Sequence, residues 1–356
     1  MILERLRLSH FRSYEKRIFE FSRNTTLIIG KNTAGKTNII EAIWLLAVGK
    51  SFRAEHDKET IGWDGELAVI HGDISVGGDQ VQLELFITNG IVHGQRAPTK
   101  KYMVNGISKR QTDFVGTVRV VLFWPEHLEL ITDSPGVRRR YLDSVLVQVD
   151  YEYRRNLLSY EKGLRQRNSL LDAISEGKAN RNQLLFWNQL LIKTGNYITQ
   201  KRMEFIDFVN AYTVSGIANR IEYDKSIISI ARLEQYKLEE VAAGSTLVGP
   251  HRDDFIVHKR QATGQDAEKY IQLSKYGSRG EQRLGVLWMK LSELSYIQEK
   301  TGVRPILLLD DIFSELDEQH KELVIDVIGK QQTIMTSAEE DILEMFGKDA
   351  VSVLRL

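Results

Sequence analysis

A chain of 356 residues and 40.9 kDa, 42% apolar and 27% charged, suits one large α/β domain carrying an insertion, or two domains. Its 48 basic and 48 acidic side chains cancel, so a polyanionic partner must be met by a local patch rather than by global charge. The absence of cysteine excludes disulfides, thiol catalysis and cysteine-ligated metal, and neither a membrane-length apolar run nor a signal-peptide core at Met1-Ile2-Leu3-Glu4-Arg5 is present, so the expected location is cytoplasmic with no membrane partner.

The chain begins in strands. Leu6 and Leu8 alternate with Arg5 and Arg7, and Ile18-Phe19-Glu20-Phe21 follows. Thr26 to Gly30 reads as a short buried strand, and Ile39, Ile40, Ala42, Ile43 and Leu46 have the spacing of a helix face. Between them Gly30, Lys31, Asn32, Thr33, Ala34, Gly35, Lys36 and Thr37 fit the phosphate-loop pattern GxxxxGK[ST], with Asn38 at its edge. In that setting backbone N–H groups wrap a polyphosphate, Lys36 reaches the β/γ-phosphates and Thr37 places its hydroxyl on Mg²⁺. Short β patterns continue at Glu66 to Val76, Val81 to Ile87 and Lys101 to Val104, with turn signals at Asn89-Gly90 and Asn105-Gly106. Val118 to Phe123 is a continuous apolar run ended by Trp124-Pro125. From about Arg138 to Asn210 strand signals and proline vanish and two or three long helices are predicted, on patterns such as Tyr141, Leu142, Val145, Leu146 and Leu184, Leu185, Trp187, Leu190, Leu191. Strand texture returns near Thr246.

Two later segments complete a nucleotide site. Pro305 to Asp311 is an apolar strand ending in two carboxylates, the Walker B arrangement: Asp310 is placed to hold Mg²⁺ and Asp311 to orient or deprotonate the attacking water. Tyr276-Gly277-Ser278-Arg279-Gly280-Glu281-Gln282-Arg283 leads into a helical Leu284, Leu287, Trp288, Leu291, so the Ser278 hydroxyl and the Gly280 N–H can point at a phosphate from a helix start; taken alone, the same residues read more readily as a simple N-cap. Trp124, Trp187 and Trp288 sit in apolar patterns and read as core, and His251 lacks metal-ligand spacing, so His251-Arg252-Asp253-Asp254 reads as a charged turn with internal pairing.

In this order the motifs resemble the ABC-type (SMC-like) ATPase superfamily, with Ser278-Arg279-Gly280-Glu281-Gln282 as the signature and Ser314, Glu315, Leu316 and Asp317 as the D-loop. Within it the chain resembles the RecF family, through Phe11-Arg12-Ser13-Tyr14, Gly49-Lys50-Ser51-Phe52-Arg53, Phe123-Trp124-Pro125-Glu126, Arg138-Arg139-Arg140-Tyr141-Leu142-Asp143, Gln166-Arg167-Asn168 and Gly249-Pro250-His251-Arg252-Asp253-Asp254. It departs where Thr33 stands at a loop position usually glycine, where no glutamine accompanies Glu126, and where Thr336 or Ser337 replaces a histidine.

The resemblance implies an α/β fold: an ABC-type ATPase head, a phosphate-loop parallel sheet with an antiparallel β flank, over residues 1–130 plus 245–356, and a helical insertion lobe over 131–244. It implies ATP and Mg²⁺ as cofactors, and an ATP-dependent homodimer in which Ser278 of one copy, with Gly280 and Gln282, completes the site built on Lys36 and Asp311 of the other. Weak, DNA-stimulated hydrolysis then resets the dimer. Double-stranded or gapped DNA is the implied ligand, and RecR with RecO, acting to load RecA, the implied partners in recombinational repair and replication maintenance. Candidate DNA contacts are Arg138, Arg139, Arg140, Arg154, Arg155, Lys162, Arg165 and Arg167, although a basic run on a helix is ordinarily a solvated face. Arg12 and Arg53 have the alternative of meeting nucleotide phosphates. The competing readings are a transporter nucleotide-binding subunit, an SMC-type chromosome-structural ATPase and a small-molecule phosphotransferase. Against the first, Lys36 and Ser278 lie 242 residues apart with an insertion between. Against the second, the seventy or so helical residues span at most about 50 Å as a hairpin. The third would need an acceptor pocket and would work as a monomer.

Overall fold

A run of five residues buried on every side, Thr25–Ile29, can exist only as the inner strand of a sheet covered on both faces. The computed structural model places it there and describes the whole chain except 64, 215, 262–268, 316–317 and 347–350, together with the side chains of 314–315 and 318–320. In chain order the strands are β1 (Ile2–Phe11), β2 (Tyr14–Glu20), β3 (Thr25–Ile29), β4 (Leu67–Val76), β5 (Asp79–Thr88), β6 (Ile91–Val92), β7 (Gln95–Arg96), β8 (Lys100–Val104), β9 (Ile107–Lys109) and β10 (Val120–Phe123). They continue with β11 (Asn219–Asp224), β12 (Asp254–Gln261), β13 (Lys269–Gln272), β14 (Ile306–Asp310), β15 (Thr333–Ser337) and β16 (Val351–Arg355).

The chain divides into two compact units, Met1–His127 with Glu293–Leu356, and Leu128–Ser292. The first holds a parallel sheet of order β10-β14-β15-β3-β16 and an antiparallel sheet of order β2-β1-β4-β5-β8-β9. Between β3 and β4 runs the helix Lys36–Val48, whose apolar residues from Ile39 to Val48 are all buried. In β1 the inward set is Leu3, then Leu6 and Leu8; a register shift between Leu3 and Arg5 against β4 changes the parity, which a strict period of two would not allow. Gln332 holds that irregular edge, accepting from Leu3 N at 2.7 Å and donating to Leu3 O and Ser22 O at 2.8 Å.

Asn105 and Gly106 both have positive φ and close the β8–β9 hairpin, as their residue types require. Asn89-Gly90 does not close a hairpin: β5 pairs with β8, and the segment between them carries the β6–β7 ribbon, turned at His93-Gly94.

The second unit contains three long helices, Pro135–Val149, Tyr151–Ser175 and Leu184–Ala211, and a small sheet of order β11-β12-β13. The sequence reading returned the chain to the ATPase head at 245. Strand pairing instead ties 254–261 to 219–224, and the compact unit runs on to Ser292. Trp288 is buried in it and donates from Nε1 to Tyr212 O at 2.9 Å, whereas Trp124 and Trp187 are half-buried.

Candidate nucleotide site

The phosphate loop leaves the end of β3, which is flanked on both sides by parallel partners, so it emerges at the carboxyl edge of the sheet, where such folds bind ligands. Gly35 precedes the helix with φ 98°, and a Cβ there would fall 2.7 Å from Tyr14 Oη, so glycine is required on both counts. Thr33 has φ 77°, a backbone region that β-branched residues rarely adopt, at the position where the resemblance expects glycine. Lys31, Asn32 and Thr33 are exposed, Ala34 and Thr37 are half-buried, and the Lys36 ammonium folds over the loop to donate to Gly30 O at 2.7 Å and Lys31 O at 3.2 Å. An exposed glycine-bearing loop, a helix start and an ammonium held by carbonyl oxygens together suit a polyphosphate.

Asn38 donates to Ser13 Oγ at 2.9 Å and accepts from Arg53. Its neighbourhood is organised by Glu41, which the sequence reading missed. This fully buried carboxylate accepts from Arg12 at 2.6 and 2.8 Å, from Arg53 Nε at 3.0 Å and from Ser51 Oγ at 2.6 Å. Burial alone would raise its pKa, but the Arg12 and Arg53 guanidiniums and the Ser51 hydroxyl outweigh that and hold it below the usual carboxylate range. The signal available was a lone acid inside the apolar run Ile39, Ile40, Ala42, Ile43.

The two carboxylates of the apolar strand lie on the same sheet. Asp310 ends β14, is 4% exposed, and is separated from β3 by β15 alone. Thr336 of β15 donates from its hydroxyl to Asp310 Oδ1 at 2.7 Å and accepts from Asp311 N at 3.0 Å; Asp311 itself has φ 51°. Carboxylate and hydroxyl oxygens are the hard donors Mg²⁺ prefers, so Asp310 and Thr37 fit that ion. Ser337 forms a local turn with Glu339, and Pro125–Leu128, bearing Glu126, is a single 3₁₀ turn. Of the D-loop, Leu316 and Asp317 lie outside the described residues, as do the side chains of Ser314 and Glu315.

The signature segment belongs to the second unit, at the start of the helix Arg279–Thr301. Ser278 and Glu281 form a reciprocal cap: Ser278 N donates to Glu281 Oε2 at 2.8 Å and Glu281 N to Ser278 Oγ at 3.3 Å. Lys259 on β12 donates to Glu281 Oε1 at 2.6 Å. The capping alternative is thus realised, while Ser278 and Gly280 stay exposed and nothing would crowd a Cβ at Gly280. Gln282 is turned inward, its amide donating to the carbonyls of Leu273, Ser274 and Gly277 at 3.3 to 3.4 Å.

A family model described as RecF/RecN/SMC N terminal domain matches residues 2–355. The chain is 36% identical over 365 residues to the DNA replication and repair protein RecF of Halalkalibacterium halodurans, across 96% of this chain and 94% of that one. This chain belongs to the RecF family. A second RecF, from Listeria monocytogenes, is 35% identical over 95% of this chain and 93% of its own length. Among solved structures, the recombination mediator protein RecF-ATPrS in RecFOR pathway superposes at TM-score 0.84 with 28% identity, covering 100% of this chain and 96% of that one. The corresponding RecF-ATP structure gives 0.83 and 30%, covering 95% and 92%. An Smc head bound to the C-winged helix domain of ScpA, at 18% identity and TM-score 0.50 over 96% of this chain and 91% of that one, shares the fold alone. The architecture of this RecF-family chain is therefore that of an ABC-type ATPase head with a helical lobe.

The second unit of this RecF-family chain sorts the eight basic candidates by burial. Arg138 forms a partly buried pair with Asp254 at 2.6 Å, and Arg167 a fully buried one with Glu240 at 2.6 Å while also donating to Thr246 and Asn188. Both guanidiniums are turned inward, so neither is presented to a phosphate at the surface. Arg139 donates to Asp253 O and Arg154 to Val147 O, whereas Arg140, Arg155, Lys162 and Arg165 are exposed, Arg155 pairing with Glu152 at 3.0 Å.

The turn around His251 is fully paired, but not internally as the sequence suggests: its partners come from Arg138, Tyr160, Arg202, Tyr223, Ser226 and Thr246. Asp253 accepts from Arg202 at 3.0 Å, from Tyr223 and from Ser226 N. His251 donates from Nε2 to Thr246 O at 2.9 Å, which leaves Nδ1 to accept from Tyr160 Oη at 2.7 Å; burial pulls its pKa down to about 4. Among the described residues no cluster of three or more His, Asp or Glu could hold a metal, and no helix is long and apolar enough to cross a membrane.

Proposed function

We propose that this chain binds ATP with Mg²⁺ and is closed by it into a homodimer that engages DNA. The observation that carries the reading is the placement of the phosphate loop and Asp310-Asp311 at one edge of one parallel sheet, with Thr336 of the intervening strand bonded to both acidic residues. Gly30 to Asn38 would hold the phosphates, Thr37 and Asp310 the metal, and Asp311 the attacking water. Bound Mg²⁺ would neutralise charge on the phosphate oxygens. The exposed Ser278 and Gly280 of a second copy would complete the site. Only a third phosphate spans both surfaces, so ATP has the differential affinity for a closed dimer that ADP lacks, and slow hydrolysis resets it.

Double-stranded or gapped DNA would lie on the exposed Arg140, Arg155, Lys162 and Arg165 through phosphate contacts without sequence readout. The RecF relatives are DNA replication and repair proteins and both RecF structures are assigned to the RecFOR pathway, which supports action with RecR and RecO in loading RecA. Fluorescence anisotropy of a labelled gapped duplex, with a slowly hydrolysed ATP analogue, ADP or no nucleotide at fixed salt, tests the reading: binding is expected with the analogue alone. Ser278→Arg is expected to keep ATP binding and abolish the dimer; ATP-dependent dimers that persist would end the sandwich account.

A further inference from the structure

We infer that Thr336 is a positioning residue for the metal end of the nucleotide site, rather than a direct contact to the third phosphate. The inference rests on the ATP and Mg²⁺ reading above. In the ladder between β14 and β15, Asp310 and Thr336 are direct partners, and one residue further along β15 Ser337 lies opposite Ile29 of β3, next to the phosphate loop. Thr336 therefore stands between the acidic strand end and the loop, 1% exposed, in an extended backbone where its branched Cβ permits few rotamers.

A hydroxyl has one proton and two lone pairs. Here the proton goes to Asp310 Oδ1 at 2.7 Å, and a lone pair takes the Asp311 N–H at 3.0 Å. With its only proton committed, the hydroxyl has nothing to donate to a phosphate oxygen while Asp310 is held. What it supplies is orientation. The bond to Oδ1 restrains the carboxyl group and occupies one of its lone-pair directions, so a metal or its water would be met by Oδ2 or by the remaining lone pair of Oδ1. The bond from Asp311 N secures a residue whose φ of 51° is unfavourable for a side-chain-bearing amino acid, and so fixes where the Asp311 carboxyl starts. Outer groups that orient a metal-binding carboxylate change metal affinity by about 10- to 100-fold when removed.

The test is equilibrium binding of a fluorescent, non-hydrolysed ATP analogue to the full chain, titrated with Mg²⁺ and repeated in EDTA, for wild type, Thr336→Val and Thr336→Ser. Valine keeps the shape and removes the hydroxyl. It is expected to raise the Mg²⁺ concentration for half-maximal tightening by about 10- to 100-fold and to leave metal-free affinity unchanged, and serine is expected to restore the wild-type midpoint. The inference is overturned by an unshifted midpoint in Thr336→Val, by serine behaving as valine does, or by metal-free affinity falling as far as metal-dependent affinity. Thr336→Ala is read by the same criteria where the valine chain fails to fold. Wild type that binds no analogue would overturn the underlying nucleotide reading, and wild type that binds it with no response to Mg²⁺ would overturn the metal part of that reading; either outcome takes this inference with it.

Discussion

Replacing Glu41 by glutamine keeps the shape of the side chain and removes a charge that two arginines share. The carboxylate is 0% exposed, and its Arg12 and Arg53 partners are 20% and 30% exposed. Removing one member of a buried pair costs about 3–5 kcal/mol because the other charge is left uncompensated. The partial exposure of both guanidiniums lets water recover some of that, so the expected loss is about 2–4 kcal/mol. At about 1.4 kcal/mol per decade, amides of the helix Lys36–Val48 should exchange hydrogen roughly 30- to 700-fold faster in Glu41→Gln, read by mass spectrometry of peptides covering that helix. The pH dependence has a definite sign. Because the folded-state pKa is held below the ordinary value, the stabilisation is fully present above the unfolded-state pKa and fades as pH falls through the folded one. Wild-type protection of the helix should therefore drop in acid, and the variant should lack that component. An exchange rate within about fivefold of wild type at pH 7, equivalent to about 1 kcal/mol, would refute the clamp as a source of stability.

His251 makes a second pH prediction with a different window. Its folded pKa near 4 lies below the ordinary 6.5, so the unfolded chain binds the extra proton first and stability falls as pH drops from 6.5 towards 4, by about 3 kcal/mol in all. Denaturant melts of the wild type across that window should show the slope, and His251→Gln should flatten it. The basic helices separate by burial: Arg167→Met should destabilise the second unit by about 3–5 kcal/mol in denaturant melts. Arg165→Ala should leave stability within about 0.5 kcal/mol and reduce the salt dependence of DNA binding by roughly one phosphate contact. Equal salt slopes for Arg165→Ala and wild type would remove that residue from the DNA surface.

Much of the site is legible from sequence because its parts are local. A buried strand, a loop whose Gly35 must take positive φ, and a helix with its apolar face in place are properties of contiguous residues, as is the Asn105-Gly106 hairpin. The alternation of Leu6 and Leu8 with Arg5 and Arg7 likewise needs no partner strand to be seen. Other features depend on residues brought together from far apart. Glu41 is unremarked in sequence because its partners come from Arg12, Ser51 and Arg53. Thr336 gains its meaning from strand order, which sets β15 between β14 and β3. Arg138 and Arg167 look like their exposed neighbours Arg140 and Arg165, and only Asp254 and Glu240, more than 70 residues away along the chain, turn them inward. The sequence by itself determined the phosphate loop, the acidic strand end and the family, since each is written in adjacent residues. Tertiary structure decided which charges are spent on each other and which remain for a ligand, because burial and pairing are set by neighbours in space.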